Sequence, residues 1–67
     1  MKTYSTPEML HGLEISYPTL KRWAKNEGMP YIRANPWIFD VRALKWVIEN
    51  KPNKAELAKK MEVINNG

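Results

Sequence analysis

The chain has 67 residues, 43% of them hydrophobic, and its 11 Lys and Arg outnumber 7 Asp and Glu to leave a formal net charge of +4. That length holds one small domain and excludes a multidomain enzyme. Having no cysteine excludes disulfides and thiolate metal sites, and a single histidine, His11, excludes a histidine-based zinc site, so no metal or cofactor is expected.

Packing must therefore supply the stability, and three Trp, three Tyr and one Phe suffice for an aromatic-anchored core. The basic excess, with a pI near 9.6, points to a polyanionic partner. No apolar run approaches the roughly 18 residues of a membrane span, and Met1 to Pro7 lacks the apolar stretch of a signal peptide. The expectation is a soluble, cytoplasmic protein with neither a membrane nor a small-molecule substrate as partner.

Ser5 and Glu8 stand in capping-box spacing and Pro7 falls in a first turn, which predicts a helix from about Thr6 to His11 or Gly12. Met9, Leu10 and Leu13 can face a core, and Gly12 is expected to break the helix. Ser16 and Pro18 open a second helix that reads to Asn26. Its Leu20, Trp23 and Ala24 recur at i, i+3, i+4 as a buried stripe, leaving Tyr17, Thr19, Lys21, Arg22 and Lys25 on the other faces. Gly28 and Pro30 end it.

Tyr31-Ile32 and Trp37-Ile38-Phe39 flank the turn-forming Arg33-Ala34-Asn35-Pro36 and predict a two-stranded hairpin, leaning on the helices through Tyr31, Trp37 and Phe39. Asp40 caps a third helix, Val41 to about Asn50, in which Val41, Leu44, Val47 and Ile48 share a face beside Trp46. Past Lys51-Pro52, Asn53 and Glu56 open a fourth helix, Lys54 to about Ile64, with Leu57, Met61 and Ile64 in one stripe. The fold class expected is mainly α with a small two-stranded β-hairpin and about four helices.

The ordered set of segments resembles the winged helix-turn-helix domain of phage and transposon excisionases and of MerR-type regulators. Tyr4-Ser5-Thr6-Pro7-Glu8 looks like the start of that family's first helix, and Ile15 to Trp23 like its turn and recognition helix. Gly28-Met29-Pro30-Tyr31 is similar to the step into the wing, and Trp37 to Leu44 to the wing return and third-helix entry. The match covers roughly residues 4–50, and Gly-Met-Pro with the later tryptophan is also similar to the DNA-binding end of phage terminase small subunits. The resemblance implies a winged helix-turn-helix domain over 1–50; beyond it, 51–67 reads as a C-terminal amphipathic helix, docked or partner-binding. In two respects the chain departs from the family: its wing tip carries one positive charge and a proline, and Lys45, Lys51, Lys54, Lys59 and Lys60 lie in the last two helices.

A basic helix fits the major groove, so Tyr17, Thr19, Lys21, Arg22 and Lys25 are the candidate DNA-binding residues, with Arg33 and Asn35 at the wing tip reaching phosphates or the minor groove. Tyr31 and Trp37 could stack on unpaired bases, but aromatics on a half-buried hairpin are more often core, and core is the expectation. No carboxylate pair, phosphate loop or activated nucleophile is present, and catalysis is not expected. Two functions follow as expectations. The first is a small DNA-binding protein of a mobile genetic element or phage, excisionase-like or regulatory, reading duplex DNA with helix 2 and a short wing, alone or as copies on tandem sites. The other is a non-catalytic accessory subunit of a larger replication (primase or polymerase), recombination or packaging enzyme, holding partner and template DNA, with Leu57, Met61 and Ile64 as the partner-binding stripe.

Overall fold

The computed structural model describes residues 2–66, with side-chain surroundings through Val63. In chain order it comprises β1 (Tyr4–Ser5), α1 (Thr6–Leu13), α2 (Tyr17–Asn26), β2 (Ile38–Phe39), α3 (Val41–Asn50), a 3-10 turn (Pro52–Lys54) and α4 (Ala55–Asn66). The fold is mainly α, with four helices and one small antiparallel sheet. Among the described residues no helix is long and apolar enough to cross a membrane.

Local chemistry sets most of the boundaries. The Ser5 hydroxyl accepts from the Glu8 N–H at 3.2 Å while the Glu8 carboxylate accepts from the Ser5 N–H at 2.9 Å, closing the capping box of α1. These bonds hold the Glu8 carboxyl below its usual range. Asp40 caps α3 through Arg42, whose backbone N–H and Nε both donate to its Oδ1 at 3.0 Å. Ser16 stands at the N-cap of α2 without a side-chain cap bond, and its hydroxyl instead meets that of Thr19 at 3.1 Å. The α2 exit uses Gly28 at φ +91°, which lets the Met29 N–H join that of Glu27 on the Trp23 carbonyl.

Phe39, Met9, Leu13, Leu20, Met29, Leu44 and Val47 form the fully buried centre, each contributing about 1.5–3 kcal/mol by leaving water. Trp23 and Ala24 close it from α2, and Ala58 and Met61 from α4. Helix α4 thus docks on the domain. Met61 belongs to the core rather than to a partner-binding stripe, Leu57 packs half-buried beside it, and Ile64 falls outside the residues whose side chains are described.

Three elements differ from the sequence reading. Gly12 does not break α1, which continues to Leu13 and ends on Glu14 in the left-handed region at φ 55°. The glycine serves α4 instead, since Met61 lies across the place where a Cβ would stand. The sheet is also not the hairpin: β2 pairs with the N-terminal β1, Tyr4 opposite Phe39 and Ser5 opposite Ile38, because both rings belong in the core. Between the two arms of the expected wing a single bridge remains, in which the Ile32 N–H donates to the Ile38 carbonyl at 2.7 Å and the Ile38 N–H to the Arg33 carbonyl at 2.9 Å. Residues 34–37 form turns, with Asn35 at φ 63°, so the tip is too tight to extend the ladder. Finally, α4 begins at Ala55, after the 3-10 turn that takes up Asn53 and Lys54.

Candidate nucleic-acid interface

Burying Leu20, Trp23 and Ala24 against the core leaves one outer stripe of α2 at a spacing of four, namely Tyr17, Lys21 and Lys25. The 31–37 loop folds back toward this stripe. Together they enclose a half-open cleft of about 430 Å³ lined by Tyr17, Lys21 and Lys25 on one side and Tyr31, Asn35 and Trp37 on the other. That volume lies within the roughly 300–1,000 Å³ of small-molecule sites. No carboxylate is among the described residues lining it, so both ammonium groups act on the cleft without a local counter-charge.

Its aromatic wall is continuous. The Trp37 ring lies 6.2 Å from that of Tyr17 and 6.3 Å, edge-on, from that of Tyr31, within the range of favourable ring pairs. Trp37 is half-buried against the core and fixed through its carbonyl, which accepts from the Thr6 hydroxyl at 2.7 Å. Tyr17 and Tyr31 remain 48% and 42% exposed, so each keeps ring surface for another flat group. Trp37 meets the expectation of a core aromatic in part, whereas Tyr31 does not belong to the core: the tight tip holds its segment outside the helical layer.

Of the residues singled out from sequence, the structure gathers Tyr17, Lys21, Lys25 and Asn35 at this cleft and leaves three elsewhere. Thr19 is bonded to Ser16. Arg22 turns toward the end of its own helix, 3.4 Å from Glu27, and Arg33 is exposed at the single bridge. Glu27 also accepts from Lys51 Nζ at 2.7 Å; that bond first and Arg22 second hold its carboxyl below the usual range. Lys51 is further occupied by the faces of Trp23 and Trp46, 5.2 and 5.8 Å from its nitrogen. Lys54 donates to the Glu14 carbonyl at the end of α1. Two of the five lysines expected in the last two helices, Lys51 and Lys54, thus lie in the connection between α3 and α4 and hold the domain together.

Sequence reading weighed Tyr31 and Trp37 as base-stacking residues and assigned them to the core, whereas both line the cleft. A signal for half of the site was available, since Tyr17, Lys21 and Lys25 repeat every four residues and two lysines at i, i+4 repel by about 0.2–0.5 kcal/mol in an isolated helix. Comparison with protein-family models, curated proteins and solved structures returns no match to this chain.

Proposed function

We propose that this protein binds DNA without catalysing a reaction on it, presenting α2 to the major groove and the 31–37 loop to the adjoining backbone, as an excisionase-like or regulatory factor of a mobile element or phage. The observation that carries the reading is the cleft itself, where Lys21 and Lys25 stand unopposed on the exposed face of a helix whose other face is buried. A helix of that diameter fits the major groove, and lysines can reach guanine edges or phosphates there. Lys2, 6.0 Å from the Tyr4 ring at the other end of the sheet, is available for a further backbone contact.

A lone domain with so short a loop makes few base contacts, so site specificity requires copies on adjacent sites. The wing's reduction to one bridge favours a second reading, an accessory subunit that lends DNA affinity to a larger replication, recombination or packaging enzyme. Fluorescence anisotropy on random duplex across a salt series tests the first reading. Affinity should fall steeply with salt, by about 0.9 in log K per unit of log salt for each phosphate neutralised, and a Lys21→Ala, Lys25→Ala protein should lose most of it. Affinity that is independent of salt, or untouched by the double substitution, refutes it.

A further inference from the structure

From the shape and chemistry of the α2 cleft we infer that it holds one unpaired nucleotide of a DNA strand, the base against the aromatic wall and its phosphate between Lys21 and Lys25. This deepens, and rests on, the DNA-binding reading; an unpaired base is the better occupant because a paired one must first be flipped out of its stack, at a cost in stacking and pairing, to enter a pocket walled on two sides. A lysine helix that only tracked phosphates would need no aromatic surface. Here Tyr17, Tyr31 and Trp37 form a run of paired rings lining the same cleft as the two ammonium groups, and two of those residues are nearly half exposed.

Each part of a nucleotide has a counterpart. A base offers a π-face, which aromatic side chains accept with little regard to sequence. The phosphate is an anion, and the cleft carries two positive charges with no carboxylate among the described residues that line it. The Asn35 amide, at the loop side, supplies a donor and an acceptor for a base edge. Trp37, the middle ring, is anchored, since its carbonyl accepts from Thr6 and its side chain packs on the core, which lowers the ordering that opposes binding.

The test compares three labelled DNAs by anisotropy at fixed salt, a fully paired duplex, the same duplex with one unpaired nucleotide and a single strand, with an unlabelled mononucleotide as competitor. The wild type should prefer the interrupted duplex over the paired one by roughly tenfold, the scale of one stacked base. Tyr31→Ala should bring the ratio of interrupted-duplex to paired-duplex affinity to about one, whatever it does to paired-duplex affinity itself, and Tyr31→Phe, which keeps the ring, should retain the preference. Melting curves establish that each variant is folded. Equal, salt-sensitive binding of paired and interrupted duplexes overturns this inference and leaves the groove reading standing. Binding of unpaired strands alone supports the cleft and overturns the groove reading, and binding of no DNA overturns both. A mononucleotide that competes as well as the strand also counts against it, because the site would then take free nucleotides rather than DNA.

Discussion

A Cβ at Gly12 would lie 2.5 Å from the sulfur of Met61, so α1 and α4 approach through a glycine that also sits inside a helix. An alanine there gains up to about 1 kcal/mol of helix propensity, but it pushes a buried thioether out of the core, at a cost of about 1–3 kcal/mol for overpacking. Gly12→Ala should therefore destabilise by about 1 kcal/mol in urea unfolding. In a Met61→Ala background the same change should stabilise, because the space is then empty, and this reversal in a double-mutant cycle is the sharper test. A Gly12→Ala protein more stable than wild type would mean that Met61 moves aside freely.

Asp40 is buried and bonded to both the backbone and the guanidinium of Arg42, whereas Arg42 is largely exposed. Asp40→Ala should lose about 1–2 kcal/mol, mainly from the lost α3 cap. Arg42→Ala should lose under about 1 kcal/mol, as exposed ion pairs do. Thermal melts of the two variants give the comparison, and equal losses would place the energy in the ion pair rather than the cap.

Acid should unfold the protein through a small set of carboxylates. Asp40 is held below its ordinary 3.8 by the Arg42 side-chain hydrogen bond, and Glu8 and Glu27 below their ordinary 4.5 by Ser5 and by Lys51. For each group the folded value is the lower one, so its contribution is complete above the unfolded value and is lost as pH falls through the folded one. The melting temperature should be level above about pH 5 with respect to these groups and drop steadily below their ordinary values. An Asp40→Asn, Glu8→Gln protein should be less stable at neutral pH and show a shallower acid decline, and an unchanged slope would refute the assignment.

Lys51 joins Glu27 of the α2 exit to the faces of Trp23 and Trp46, and its side chain is only 25% exposed. Lys51→Met keeps most of the stem and removes the charge. It should cost about 1–2 kcal/mol by urea titration, from the cation–π contacts. The same change should leave duplex affinity within about twofold of wild type, since Lys51 lies away from the cleft; a large loss of affinity would extend the DNA surface to this side.

Within α2, Lys21→Ala and Lys25→Ala should each lower the salt slope by about one phosphate. Arg22→Ala should have a smaller effect on DNA, because its guanidinium is drawn to Glu27. If Arg22→Ala proves the most damaging of the three, the guanidinium leaves Glu27 for DNA and the face assignment shifts by one residue.

Wherever one segment carried its own chemistry, the sequence was enough. The Ser5–Glu8 box, the Asp40 cap, Gly28 at the α2 exit and the buried stripe of Leu20, Trp23 and Ala24 depend on neighbours within four residues, so spacing alone identifies them. The same locality placed Tyr17, Thr19, Lys21, Arg22 and Lys25 off the buried face of α2, without singling out which of them form one stripe. Tertiary structure decided what depends on residues far apart in the chain. Gly12 reads as a breaker until Met61, 49 positions later, is seen to need the space. Phe39 reads as one arm of a hairpin until Tyr4 takes the place opposite it, and Tyr31 reads as core until a tight loop holds it in water. The physical reason is that periodicity records which side of an element is apolar, while register, close approach and the closing of a cleft are set by which elements meet.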